Sequence, residues 1–206
     1  MGVSVNFVER YYEGMAGKRK IKIVLNAPVV LGFAAICVVA LMLNGITGGK
    51  TNSLIFSVYR SSLTDPLTYI RFFGHVFGHS GMEHLISNLM MILLLGPILE
   101  DKYGSKCLMW VIGITAVSTG LIDFIFFPST AFLGASGVAF AFILLTSISG
   151  ITSNEIPLTF ILVAVLYIGQ QVYEGIFVND SVSQFTHIVG GVVGSVIGYK
   201  LNVRKR

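Results

Sequence analysis

The sequence predicts an all-α, polytopic membrane protein, a bundle of six transmembrane helices, on three observations. Of its 206 residues, 54% are hydrophobic and 12% charged, against roughly a quarter charged in soluble domains. The charged residues gather in short clusters that separate long apolar runs, the pattern of membrane spans rather than of one buried core. The basic residues are also one-sided. With both termini and the Lys102/Lys106 loop in the cytoplasm, all Lys and Arg lie there except Lys50, Arg60 and Arg71, as the positive-inside rule requires of an even number of spans.

The elements follow in order. Residues 1–26 read as a cytoplasmic N-terminal arm, because Arg10, Lys18, Arg19, Lys20 and Lys22 precede any apolar run and no secretory signal pattern appears. Residues 27–200 form the membrane domain, and residues 201–206 form a basic cytoplasmic tail. The first apolar run extends from Ile23 to Gly49, with its spanning part over Ala27 to Leu43. From Asn44 to Gly81 the chain mixes Gly, Ser and Thr with Asp65-Pro66 and the cluster Arg71-Phe72-Phe73, which predicts a structured loop seated partly in the membrane interface. The remaining runs are His84 to Leu99, Cys107 to Ile122, Phe132 to Gly150, Ile156 to Tyr173 and Ser181 to Tyr199. Several are short for independent spans, so neighbouring helices must surround them and some ends must lie below the membrane surface. The minimal six-span length, without an organelle-targeting presequence, suggests the inner membrane of a bacterial cell as the location.

Other classes are disfavoured. The net charge of +4 resides at the two ends and in one loop, with no basic stripe interleaved with aromatics, so no nucleic-acid partner is expected. Cys37 lies in mid-run and Cys107 beside a charged cluster, without C-x-x-C spacing, which reads as two unpaired small apolar residues. His75, His79 and His84 fall close together, but no carboxylate or further histidine joins them at ligand spacing. Neither a metal nor another cofactor is expected.

Three polar elements stand out inside apolar runs. His84 and Asn88, at i and i+4, share a helix face where polar groups are costly, and they serve either as interhelical hydrogen-bonding glue or as functional donors. Leu133-Gly134-Ala135-Ser136-Gly137 sets one serine between two glycines at a helix start. There the free N–H groups and the positive end of the helix dipole favour a developing oxyanion. His187 lies three residues before Gly190, with Gly194 and Gly198 continuing at four-residue spacing, so it faces the helix that packs into that glycine groove. Gly134 and Gly137 make the fourth span the best candidate partner. Together these residues fill each role of acyl transfer: Ser136 attacks, His187 takes and returns its proton, and His84, Asn88 and backbone N–H groups hold the oxyanion. Asp123 and Asp180 read as nearer the surface, so the set is a dyad with no orienting carboxylate.

His79-Ser-Gly-Met-Glu-His84-Leu-Ile-Ser-Asn88, Gly134-Ala-Ser136-Gly137 and His187-Ile-Val-Gly190 with Gly194 resemble the rhomboid intramembrane serine proteases in order and spacing, as does Glu100-x3-Gly104. The resemblance implies a rhomboid-like six-helix core and a Ser136/His187 dyad in a water-filled cavity open to the outside. It implies a supporting site of His79, Gly134, Gly137, Phe140, Gly190 and Gly194, and a gate formed by loops and the fifth span. Two positions depart from the family pattern. Ile70-Arg71 stands where the family has Trp-Arg, and Phe140 stands where many members have a tyrosine that supports the catalytic histidine. A phenyl ring still stacks on an imidazole but supplies no hydroxyl.

The partners so implied are transmembrane protein substrates and membrane lipid. A substrate helix must unwind before its peptide bonds can be attacked, so small or helix-weakening residues are expected near the cut. The rival reading is a catalytically inactive rhomboid-like scaffold that binds membrane proteins, and against it stands the presence of both Ser136 and His187. The sequence carries no signal for an oligomeric state.

Overall fold

A computed structural model describes residues 24–149 and 181–204, with single positions between 156 and 173. Its elements are α1 (Pro28–Ile46), a π-helical turn at Asn52–Phe56, α2 (Pro66–Gly74), a 3-10 turn at His75–Phe77, α3 (Met82–Tyr103), α4 (Ser105–Phe126), α5 (Ser136–Ile148) and α6 (Ser181–Arg204). Between 158 and 173 the described positions are helical, but eight of the 18 positions of the fifth predicted run, like residues 1–23 of the N-terminal arm and Asp180, lie outside the described residues. Among the described residues the only β-pairing is an isolated antiparallel bridge between Val58 and Phe132. α1, α3 and α4 are long and apolar enough to cross a membrane, while α5 and the Phe185–Ile197 stretch of α6 are shorter apolar segments.

The bundle is apolar on both sides of its packing. Phe142, Ile92, Leu99, Leu108, Leu145 and Val30 fill the interior, while Leu94, Trp110, Ile114 and Ile125 point outward. A soluble protein would not display so many large apolar side chains; a lipid-facing surface does. With no hydrophobic drive between helices in lipid, close packing has to hold them together. At Gly96 of α3 an added methyl would strike both Val30 of α1 and Phe142 of α5, so three helices meet at that point.

α1 begins at Pro28, whose fixed φ suits a first turn and which has no N–H to satisfy. Its next free N–H groups are satisfied from another helix. Val29 N and Val30 N donate to the two carboxylate oxygens of Glu100 at 3.0 and 3.1 Å, and Ser105 Oγ donates to the same carboxylate at 2.7 Å. Glu100, 4% exposed, therefore clasps the starts of α1 and α4 to the end of α3. The reversal between α3 and α4 passes through Gly104 at φ +84, a left-handed conformation open to glycine. Glu100→Ala strands two helix-start donors in an apolar setting and should cost about 2–3 kcal/mol. Unfolding in mixed micelles tests this, with exposed Asp101→Ala as control; equal midpoints for the two variants would show that the clasp contributes nothing.

The loop after α1 is structured, as its composition predicts. Asp65 caps α2 by accepting from Leu67 N at 3.0 Å, and Pro66 takes the first helical position. Arg71, the half of the Ile70-Arg71 pair that keeps to the family pattern, is buried and multiply held. It donates to Leu54 O at 3.0 Å, pairs with Asp65 at 3.3 Å and stacks over Tyr59 at 4.6 Å. Ile70 is exposed.

Four predicted boundaries shift by four residues or more, the start of α5 for a tertiary reason; α3 runs past Leu99 to Tyr103. α4 runs past Ile122 to Phe126 and carries Asp123 inside its last turn. α5 starts at Ser136 rather than Phe132, because Phe132 is engaged in the bridge with Val58 and Gly134 adopts φ +139. α6 continues past Tyr199 to Arg204.

Candidate active site

Ser136 is the first residue of α5, and its approach is built by the loop before it. Val58 and Phe132 exchange two backbone hydrogen bonds of 2.8 Å, Gly134 N donates to His75 O at 2.9 Å, and Arg60 Nη1 donates to Phe124 O at 3.1 Å. The long first loop thereby fixes the chain leading into Ser136. Gly134 is required twice over: its φ of +139 disfavours any side chain, and a Cβ there would stand 2.9 Å from Cε1 and Nε2 of His84 and 3.8 Å from Nδ2 of Asn88. The His84 ring and the Asn88 amide thus lie over the backbone two residues before Ser136.

On the other side, α6 packs into α5 through glycine. A Cβ on Gly190 would collide with the Gly137 carbonyl and lie 2.9 Å from Gly137 Cα, and one on Gly194 would lie 2.7 Å from Ala141 Cα. The register brings the His187 ring to 4.4 Å from the Phe140 ring, centroid to centroid, with the planes tilted by 43°. The glycine spacing predicts this pairing of the last helix with the Ser136 helix, and the Phe140–His187 stack occurs without a tyrosine. Ser136 and His187 are both half-buried.

The histidines of the first loop divide in role. His75, 1% exposed, has Nδ1 3.2 Å from Arg71 O and Nε2 3.1 Å from Thr119 Oγ1. Since a carbonyl only accepts, Nδ1 carries the proton, and Nε2 competes with Thr115 O, 2.9 Å from the same Oγ1, for the threonine's one proton; the contact joins the loop to α4. His79 is fully buried, with Nδ1 donating to Phe77 O at 3.1 Å and its ring 5.1 Å from that of His84; its Nε2 has no partner among the described residues. Burial lowers the pKa of both His75 and His79 to about 4, so each is neutral near pH 7. His84 Nδ1 lies 3.1 Å from Ser80 Oγ; when that hydroxyl donates, the ring proton sits on Nε2, the atom facing Gly134. Asn88 is 7% exposed and its amide nitrogen has no partner among the described residues. A cleft of ≈ 570 Å³ lined by Ser80, Glu83, His84 and Ser87 opens beside this group.

One expectation is corrected. Asp123 reads from the sequence as a surface residue, but it is 2% exposed and accepts a 2.6 Å hydrogen bond from Thr186 Oγ1, the residue before His187. A lone Asp ending one apolar run and followed by Phe-Ile-Phe-Phe is the signal for an interior carboxyl; a charge read as a span boundary hides it. The Glu100 clasp is likewise invisible in sequence, because its partners are backbone groups of a distant helix.

Comparison with known proteins places the chain in a family. The Rhomboid domain family model matches residues 66–204, which covers α2 through α6. The chain is 33% identical over 143 residues to Rhomboid-related protein 1 of Caenorhabditis elegans, covering 63% of this chain and 39% of the relative. To Rhomboid-related protein 2 of Mus musculus it is 32% identical over 159 residues, covering 66% and 52%. To the Rhomboid protease GlpG of Serratia proteamaculans (strain 568) it is 27% identical over 176 residues, covering 84% and 62%. The chain spans between 39% and 62% of the length of these relatives. A family match over most of the chain, joined to apolar helices that close on each other through glycine around Ser136, identifies this integral membrane protein as a member of the rhomboid family.

Proposed function

We propose that the chain is an intramembrane serine endopeptidase that cleaves transmembrane segments of other membrane proteins through a Ser136/His187 dyad. The observation that carries the reading is the convergence on Ser136. His84 and Asn88 lie over Gly134 just before it, while His187 stacks on Phe140 one turn after it. Ser136 Oγ attacks the scissile carbonyl as His187 takes its proton. The oxyanion is met by the N–H groups at the start of α5 and by Asn88 Nδ2 and His84 Nε2. His187 then returns the proton to the leaving amine, and water releases the acyl group from Ser136 by the same steps in reverse. A buried amide nitrogen with no partner among the described residues is expensive unless its partner arrives with substrate or water, which favours this role for Asn88 over interhelical glue.

The 13 residues of α5 rise only about 20 Å, short of the ~30 Å hydrocarbon core. That length supports a Ser136 set below the membrane surface, reached by water through the polar cleft at Ser80 and His84. A six-span core over residues 27–200, with the arm 1–26 and the tail 201–206 in the cytoplasm, belongs to the same proposal and rests on the sidedness of the basic residues.

Cleavage of a single-span model substrate by the purified protein in liposomes, with parallel labelling by a fluorophosphonate, tests the proposal. Cutting and labelling by the wild type support it; a folded wild type that does neither across several substrates favours a binding scaffold instead. Asn88→Ala should lower kcat/KM by about 2–4 kcal/mol in transition-state terms, the usual loss for one oxyanion donor. A loss confined to KM would mark Asn88 as a substrate-binding residue instead.

A further inference from the structure

We infer that Asp123 and Thr186 form a positioning pair that sets the rotation of α6 and, through it, the approach of the His187 imidazole to Ser136. This inference rests on the dyad reading above. The glycine contacts of α6 fix how closely it lies to α5 and which face it turns to that helix, but they include no directional bond, so the fine setting of its azimuth falls to a hydrogen bond. Thr186 is the residue before His187, so any bond that fixes its azimuth fixes that of His187, 100° further round the same turn. Its hydroxyl donates to Asp123 Oδ1 at 2.6 Å, from α6 to the last turn of α4. Both residues are buried, at 1% and 2% exposure, in a part of the bundle where a carboxyl is costly without a hydrogen-bond partner. Oδ2 of Asp123 has no partner among the described residues, and the bond that Oδ1 receives from Thr186 is its link to α6 there. α4 is itself anchored to the first loop through Thr119 and His75, and that loop holds the chain entering Ser136. The nucleophile and the base are therefore referenced to one helix, α4: Ser136 through the first loop, His187 through Asp123.

Asp123 and Thr186 act through His187 and touch no reacting atom. Thr186→Val keeps the shape of the side chain and removes the donor. Its kcat should fall by roughly 10- to 100-fold, the scale of a 1 Å misplacement of a catalytic group, with KM little changed. Thr186→Ser restores the hydroxyl and should restore most of kcat, and Asp123→Asn retains an acceptor oxygen and should lose less than Asp123→Ala. In a double-mutant cycle, Asp123→Asn with Thr186→Val should be no slower than Thr186→Val alone, because the two act through one bond. Each variant is measured for substrate cleavage, for the rate of fluorophosphonate labelling of Ser136 and for its unfolding midpoint. The wild type and Ser136→Ala accompany every series. If wild type labels and cuts, Ser136→Ala does neither, and Thr186→Val retains wild-type kcat, the positioning inference is overturned while the dyad stands. It is overturned equally if Thr186→Val and Thr186→Ser lose the same activity, or if the single losses add in the double variant. If wild type neither labels nor cuts, the dyad and this inference fall together.

Discussion

Ser136→Ala should leave a folded, membrane-inserted protein with no detectable cleavage and no fluorophosphonate labelling, and His187→Ala should depress both by roughly 10⁴-fold or more. The expectation comes from the division of labour at the site. A serine hydroxyl is a weak nucleophile without a base to take its proton, and none of the other histidines is offered to it. His75 is committed to Arg71 and Thr119, and His79 donates to Phe77 O. His84 is bonded to Ser80 and faces Gly134. Neither substitution disturbs packing by much, because Ser136 opens a helix and His187 is only half-buried. Unfolding midpoints should therefore lie close to wild type, which separates lost chemistry from lost structure. Appreciable cleavage by folded Ser136→Ala would transfer the nucleophile to another residue and end the dyad reading.

A single methyl at Gly190 should be nearly as damaging, for a different reason. The Cβ of Gly190→Ala would collide with the Gly137 carbonyl and stand 2.9 Å from Gly137 Cα, contacts that only a separation of α5 and α6 relieves. Backbone atoms cannot swing away as a flexible side chain can. Overpacking of this kind costs about 1–3 kcal/mol or more, and a shift of about 1 Å between His187 and Ser136 removes ~100-fold in rate by itself. Loss of both stability and kcat is expected in the same variant, and Gly194→Ala, facing Ala141 of the same seam, should behave alike. Gly32→Ala in α1 is the control. An added methyl there meets nothing within 4 Å, and alanine is about 1 kcal/mol better than glycine inside a helix. Wild-type stability and rate in Gly190→Ala would show that the helix pair is looser than its packing indicates.

The class of the protein and the elements that meet at the site are legible in the order of the residues. Charge clusters and apolar runs are local properties of the chain, and the bilayer reads them directly, so α1, α3 and α4 stand out as spans. The G-x-S-G element and the glycine stripe on α6 stand out because close helix contact in lipid demands small residues at fixed spacing, and Gly137 against Gly190 is that contact. Phe140 against His187 follows from the same register. The polar bonds between helices far apart in the chain come into view only in the folded bundle. Glu100 satisfies backbone donors some 70 positions away, and although the Glu100-x3-Gly104 spacing marks the residue, nothing near it in the chain names those partners. Asp123 resembles a boundary for the same reason, since a carboxyl in an apolar stretch is tolerated inside only when a partner such as Thr186 comes to it. The late start of α5 likewise depends on Phe132 being claimed by Val58 across the bundle. Hydropathy records the cost of placing a residue in lipid, whereas the hydrogen bond that offsets this cost belongs to whichever helix the fold brings alongside.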